Sequence, residues 1–328
     1  MTLLFTSPPP KFSKKDVLIL IKNEYSMDGM ISNCESDRDQ NFLLTTNDGK
    51  YLFKIYNNHE NLYNIKMQRS LIKFLIRNNF KYKIPKPFGD IGEILKEDIV
   101  YYSSMFHFID GEQLSNKKLS FENYREMGIF LGNFSKTVSM FKYKKFSRHF
   151  EWDTRQIKYL EHRLKYIDNK QNRMLVSSFI TKYYKTVEEV KPELRYSYIH
   201  NDANNQNILI HPNGKIKGII DFGDVTYSYT MLEAAVCMSY IGRGHNDPIK
   251  VWENFIEGYL SKFQLKEEEI KLLPIMISAR ICLSIIMCSW RKKIFPENTY
   301  LTFSEKTSWE LLNFLKENDP VSLFVKSI

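Results

Sequence analysis

Tyr198–Asp224, YIHNDANNQNILIHPNGKIKGIIDFGD, is the stretch that decides how this chain folds. Ile208-Leu209-Ile210 runs into the turn formers His211-Pro212-Asn213-Gly214, and Ile216 to Ile220 runs back. That is the pattern of a two-stranded hairpin with glycine in its turn. Such a hairpin returns its far end to its near end, so Asn207 and Asp221 are expected side by side. Two neighbouring oxygen ligands suit Mg²⁺, a hard ion that takes one or two protein groups and fills its shell with phosphate oxygens and water. Taken singly, Asp, Asn and Gly are what any polar turn contains; the order and spacing of the set carry the information.

Asp202 stands five residues before Asn207. This is the spacing of the kinase catalytic loop, in which the Asp accepts the proton of the acceptor hydroxyl and the Asn holds metal. Asp221-Phe222-Gly223 matches the second metal motif of the same chemistry. His-x-Asp-x₄-Asn, a hairpin and then Asp-Phe-Gly, in that order, point to phosphoryl transfer. Asp202 is therefore the expected catalytic residue, and Asn207 with Asp221 the expected metal ligands.

The composition bounds the rest. A chain of 328 residues with 43% hydrophobic and 14% aromatic residues buries a large core and is not disordered. Its formal charge of +9, from 47 basic and 38 acidic residues, suits an anionic ligand such as a nucleotide. The lysines are spread along the chain without a dense basic tract, which argues against a nucleic-acid partner. Cys34, Cys237, Cys282 and Cys288 are scattered with no C-x-x-C pair, as free thiols of a reducing cytoplasm would be, and zinc is not expected. Leu3-Leu4-Phe5 is too short for a signal peptide. The longest apolar stretch, Pro274 to Trp290, is interrupted by Arg280 and falls short of a membrane span. The expected place is the cytoplasm, with no membrane partner.

Ahead of the decisive stretch, Ser13 and Asp16 form a capping box for a first helix. Ile31–Cys34, Phe42–Leu44 and Tyr51–Tyr56 then read as strand, loop, strand, turn, strand, with Asn47-Asp48-Gly49 as the turn. Lys54 lies on the third strand. There a kinase-type small lobe carries its phosphate-pairing lysine. Leu62 to Ile76 mark a helix from which Gln68, or else Glu60 just ahead of it, is expected to orient Lys54. Ile99 to Phe108 reads as paired strands leading to a hinge at Asp110-Gly111. Beyond it the spacing is helical: Tyr124 to Phe141 after Ser120, Ile157 to Ile167 after Asp153, then Leu232 to Ser239 and Trp252 to Tyr259. Pro274 is expected to separate an acidic turn from a long helix, and a last helix carries Trp309, Leu312 and Leu315. The expected fold is α+β and protein-kinase-like: a small β-rich lobe over residues 1–108 and a large, mostly helical lobe over residues 109–328.

These residues resemble the aminoglycoside phosphotransferase superfamily, and within it hydroxylysine kinases and the kinase domains fused to class-III aminotransferases. The resemblance rests on Ser36-Asp37-Arg38-Asp39-Gln40-Asn41-Phe42, on Trp152-Asp153 and on Gly218 to Val225, with Arg280, Ser284, Tyr300 and Trp309 in similar places. It covers essentially the whole chain. It implies that Ser36 to Asn41, including Arg38, stand in for a glycine-rich phosphate loop, and that Lys54 contacts the α- and β-phosphates of ATP or GTP. It also implies that Mg²⁺ sits on Asn207 and Asp221, and that His200 braces the catalytic loop without doing chemistry. The family has Gly between the His and the Asp of that loop. Here it is Asn201, one of the few other residues that tolerate left-handed backbone.

The implied acceptor is a hydroxy-amino acid or amino-alcohol. Its ammonium group would want a carboxylate, Asp224 first and Glu233 second, although either could equally serve a helix N-terminus. An acceptor carboxylate would want an arginine, and Arg280, alone in an apolar helix, is the candidate beside a structural ion-pair role. An antibiotic-modifying phosphotransferase, a homoserine- or choline-kinase-like enzyme and a non-catalytic nucleotide-binding scaffold remain alternatives. A pocket rich in carboxylates would favour the antibiotic reading.

Overall fold

The computed structural model describes residues 3–116, 119–144, 148–298 and 305–318. The chain divides into two compact units, Met1–Asn79 with Lys83–Asp110, and Phe80–Tyr82 with Gly111–Ile328.

The first unit is an antiparallel sheet with two helices. Helix α1 (Lys14–Tyr25) starts at the Ser13–Asp16 capping box. Strands β1 (Met30–Cys34), β2 (Gln40–Thr46) and β3 (Gly49–Ile55) form a meander, followed by α2 (Leu62–Arg77), β4 (Pro87–Lys96) and β5 (Ile99–His107). The strands lie in the order β1-β2-β3-β5-β4. Alternation sends Phe42 and Leu44 of β2, with Phe53 and Ile55 of β3, into a core shared with Val17 and Ile21 of α1. Residues 99–108, expected as paired strands, hold the single strand β5, which pairs with β3 on one side; on the other its partner is the preceding β4. The turn between them uses Glu97 and Asp98, both at positive φ (51° and 61°), so no glycine or asparagine announces it in the sequence.

In the second unit, β6 (Glu112–Gln113) and α3 (Phe121–Val138) come first. Residues Thr154–Tyr166, expected as an α-helix, tighten into 3₁₀ geometry after the Asp153 cap. Helix α4 (Lys170–Val190), not foreseen in the sequence, buries Val176, Ile180, Tyr183 and Val187 along one face. Strand β7 (Tyr196–Ile199) leads into the hairpin of β8 (Ile208–Ile210) and β9 (Ile216–Ile219), whose turn holds Gly214 at φ 82°. A 3₁₀ turn at Phe222–Asp224 follows, and β10 (Thr226–Tyr229) returns to pair antiparallel with β7, Thr226 opposite Ile199. The remaining helices are α5 (Leu232–Ile241), α6 (Pro248–Leu260), α7 (Glu267–Ile294) and α8 (Glu305–Glu317).

Pro274 does not break α7 but lies inside it. A proline there forgoes a backbone hydrogen bond and costs roughly 3 kcal/mol, yet the helix is buried without a gap from Leu272 to Arg291, and that packing outweighs the loss. At 28 residues α7 is long and apolar enough to cross a membrane by length and composition, contrary to the reading of its apolar run as too short. Its apolar window is entirely buried within the fold.

Helices α3 and α6 meet backbone to backbone. A Cβ on Gly128 would lie 1.9 Å from the Phe255 carbonyl oxygen, and one on Gly258 would lie 2.0 Å from that of Arg125. Gly128→Ala should therefore lower Tm by roughly 2–8 °C, although alanine gains about 1 kcal/mol in helix propensity. Thermal unfolding checks this. A Tm at or above wild type would mean that the two backbones part without cost.

Candidate active site

Two ladders bring the candidate catalytic residues together. The β8–β9 hairpin closes with the Ile220 N–H on the Asn207 carbonyl at 2.9 Å, which puts Asn207 beside the start of Asp221-Phe222-Gly223. The β7–β10 ladder ends at Ile199 opposite Thr226, bringing the chain at His200 towards the chain at Asp224. The loop between them is held by its own side chains. Asp202 Oδ1 accepts from Asn204 Nδ2 at 2.9 Å, and Oδ2 accepts from Asn207 Nδ2 at 2.7 Å. Burial, and then the charge of Asp224, push the Asp202 carboxyl well above its ordinary value against the opposing pull of Arg280. A carboxylate raised in this way is a stronger base towards a hydroxyl proton.

Asn201 adopts φ 65°, the left-handed geometry that its side chain tolerates. It does more than replace a glycine, because its Nδ2 donates to the Trp152 carbonyl at 3.2 Å. Arg280 is fully buried behind the same loop. Its Nη1 donates to the Trp152 carbonyl at 2.6 Å and its Nη2 to the Asn201 carbonyl at 3.1 Å, with Nη2 3.9 Å from Asp202 Oδ1. A guanidinium fork is built for such a bridge. Arg280, suggested above for an acceptor carboxylate, thus has both Nη groups engaged in bracing the loop, with its Nε buried and unpaired.

Asn207 donates Nδ2 to Asp202 both at the carboxylate and at the carbonyl (3.0 Å), which turns its Oδ1 to the other side. Asp221 stands at φ 57° with Oδ1 accepting the Gly223 N–H at 3.2 Å. An amide oxygen and a carboxylate on adjacent strand ends are hard donors that fit Mg²⁺.

In the first unit, Lys54 Nζ pairs with Asp39 Oδ2 at 2.8 Å, both side chains buried. Asp39 Oδ1 also accepts the Asn57 N–H at 2.9 Å. Asp39 belongs to the same loop as Ser36, whose Oγ accepts the Asp39 N–H at 3.3 Å, and no spacing in the sequence marks it as the partner of Lys54. Asn41 lies directly opposite Lys54 across β2 and β3. The Arg38 guanidinium lies over the Phe5 ring at 5.5 Å. Gln68 is buried on α2, and Glu60 Oε1 accepts from the Asn61 N–H and from Asn64 Nδ2, each at 2.9 Å.

A cavity of about 370 Å³ opens at the catalytic loop, lined among others by Asp202, Asp224, Tyr240, Arg243, Met287 and Arg291. Asp224 faces it, whereas Glu233 and Arg280 do not line it. Glu233 is buried in the first turn of α5, where its Oε2 accepts the His200 backbone N–H at 2.5 Å. Neither Arg243 nor Arg291 is a site candidate in the sequence, where Arg291 reads only as a cation at the C-terminal end of a long helix; only the packing of α5 against α7 shows which arginines border the cavity. Tyr300 lies outside the described residues.

Residues 31–271 match the APH phosphotransferase enzyme family. The chain belongs to this family. It is a phosphotransferase, an enzyme that moves a phosphoryl group to a hydroxyl, and its acceptors are small molecules. It is 25% identical to the hydroxylysine kinase of Mus musculus over 94% of this chain and 90% of that one. It is 24% identical to the hydroxylysine kinase of Xenopus laevis over 94% of this chain and 91% of that one. Among solved structures, the microcompartment-associated aminopropanol kinase superposes with a TM-score of 0.74 at 14% identity, covering 94% of this chain and 100% of the other. The amicoumacin kinase superposes at 0.69 with 16% identity, covering 93% of each. The fold is the protein-kinase-like one of these phosphotransferases.

One residue knits the phosphotransferase loop to its surroundings. His200 Nε2 lies 3.1 Å from the Ile220 carbonyl, and Nδ1 lies 3.3 Å from the Asp202 N–H. Only a neutral ring protonated at Nε2 makes both bonds. Burial lowers its pKa to about 4, against the charge of Asp221. Beneath it, burial raises the Glu233 carboxyl to about 8, and Oε1 is buried without a hydrogen-bond partner. A carboxyl raised in the folded state contributes stability that is complete below its ordinary value of 4.5 and is lost as pH rises through about 8. Glu233→Gln, which keeps an acceptor oxygen and carries no charge, should match wild type in Tm near about pH 5 and exceed it above about pH 8. Melting curves across that range decide; parallel profiles for the two proteins would mean that the carboxyl is not held neutral.

Proposed function

We propose that this phosphotransferase moves the γ-phosphate of ATP or GTP to the hydroxyl of a small hydroxy-amino acid or amino-alcohol. The observation that carries this reading is that Asp202, with its base strength raised, opens on a cavity holding a second carboxylate, Asp224. At about 370 Å³ the cavity falls at the small end of ligand pockets, which span roughly 300–1,000 Å³, and so favours a metabolite over a multi-ring antibiotic. Its lining also offers two carboxylates against two guanidinium groups, not the carboxylate-rich wall that an aminoglycoside would want. Kinship with hydroxylysine kinases supports an acceptor that carries both an amine and a hydroxyl.

In this reading Asp202 orients the acceptor hydroxyl and takes its proton as the oxygen bonds to the γ-phosphorus and the nucleoside diphosphate leaves. Asn204 and Asn207 hold the carboxylate in place for that approach. Asn207 and Asp221 would bind Mg²⁺, which, when present, offsets negative charge on the phosphates. Lys54, held by Asp39, is assigned to the nucleotide phosphates, with Ser36, Arg38 and Asn41 of the same loop region and Gln68 as supporting groups. Asp224 is assigned to the acceptor ammonium. His200, Glu233 and Arg280 fix the loop. Four free cysteines suit a reducing cytoplasm, where we assign the enzyme.

Asp202→Asn should leave nucleotide affinity near wild type and lower kcat by about 10²–10⁴-fold. Turnover at the wild-type rate would remove Asp202 from the chemistry. For Asp224, a charge-assisted hydrogen bond to an ammonium contributes about 1.5–3 kcal/mol. Asp224→Asn should thus raise the acceptor KM roughly ten- to hundredfold, with little change for a neutral alcohol of similar size. Steady-state kinetics on the two acceptors settle the point, since equal losses on both would make Asp224 structural.

A further inference from the structure

Arg243 follows the end of α5 and borders the acceptor cavity. Its Nε donates to the Ser239 carbonyl at 2.9 Å and its Nη2 to Ser284 Oγ at 3.2 Å. Its Nη1 is buried with no hydrogen-bond partner. The guanidinium lies over the Tyr240 ring, 4.4 Å from the centroid, which fixes its plane. Among the described residues no carboxylate pairs with Arg243. Burial pulls its pKa down, so the protein holds this charge in place without an anion of its own. Leaving a buried donor unmade is costly. A guanidinium fixed at two donors, unpaired at a third and set at the wall of a cavity, is suited to a planar anion. Arg291 lines the same cavity and adds positive charge there.

We propose that Arg243 is the specificity residue that receives the carboxylate of the acceptor, so that the cavity takes a zwitterionic hydroxy-amino acid rather than an amino-alcohol. This rests on the acceptor class proposed above and narrows it. Three groups of the cavity then answer three groups of the ligand: Asp202 the hydroxyl, Asp224 the ammonium and Arg243 the carboxylate. Arg280, the arginine that stands out in the sequence, is excluded from this part because it does not line the cavity and both its Nη groups lie on the Trp152 and Asn201 carbonyls. The family's small-molecule chemistry does not require such a residue; an amino-alcohol has no anion to offer an unpaired guanidinium donor.

The test is a panel of hydroxy-amino acids (5-hydroxylysine, homoserine, threonine and serine). Each is assayed beside its own primary carboxamide and the amino-alcohol lacking the carboxyl group, with MgATP and with MgGTP. The expected result is transfer to at least one acid with kcat/KM about tenfold or more above its amide and its amino-alcohol, the difference lying in KM. Arg243→Gln should narrow that gap by lowering kcat/KM for the acid far more than for the amide, and Arg243→Lys should restore part of it. Nucleotide KM and Tm serve as controls on folding. No transfer to any member would overturn the acceptor class and this assignment with it. Transfer to amides and amino-alcohols as readily as to acids would leave the kinase reading standing and overturn the role of Arg243. An equal loss on acid and amide in a folded Arg243→Gln would make Arg243 structural. Should Arg243→Gln fail to fold, the acid-to-amide ratio of the wild type and of Arg243→Lys still decides.

Discussion

His200 joins the two halves of the chemistry through a ring that has to stay neutral. Its Nε2–H donates to the Ile220 carbonyl, one residue before Asp221, and its Nδ1 accepts the backbone N–H of Asp202. The proposed base and the proposed metal-binding carboxylate are therefore positioned by opposite edges of one imidazole. Packing of the ring edge-on to Phe222 and Phe134 excludes water from both bonds, and Glu233 fixes the backbone from the far side. A positive charge on this ring would destroy the acceptor at Nδ1 and sit unsolvated among aromatic rings, so the loop geometry and the neutrality of His200 depend on each other.

Much of this was legible because the signals are local. A hairpin needs only its own apolar runs and a turn, so the neighbourhood of Asn207 and Asp221 followed from Ile208 to Ile220. The left-handed tolerance of Asn201 followed from the residue type. What escaped depended on partners distant in the chain. The β7–β10 ladder involves four residues on each side, too few to show a period, yet it is what brings Asp224 to the catalytic loop. The Asp39–Lys54 pair depends on how a loop folds over a strand. An arginine in an apolar helix drew attention to Arg280 as either a functional charge or a structural one, but the sequence could not tell a guanidinium set behind the loop from one at the cavity wall, and that difference separates Arg280 from Arg243. Pro274 misled in the other direction, since local propensity spoke for a break and tertiary burial overruled it.

The charges near the loop also divide by what they touch. Asp202 is surrounded by neutral amides, with Arg280 at 3.9 Å as a distant counter-charge. A tighter ion pair would hold the carboxylate ionised but blunt it as a base; amide donors orient it, and burial with the charge of Asp224 outweighs their smaller lowering of its basicity. The loop achieves orientation with dipoles and reserves formal charge for its supports.

Helix α7 carries this division along its length. Arg280 meets the loop that carries Asp202, while Met287, Cys288 and Arg291, about 10–16 Å further along the same rod at 1.5 Å per residue, form part of the wall of the cavity proposed for the acceptor. One rigid helix thus sets the position of the reactive group at one point and the shape of the pocket at another. Substitutions confined to its later turns could alter which molecule is accepted while the loop keeps its support, so lineages sharing this scaffold have a route to new acceptors that does not pass through an inactive enzyme.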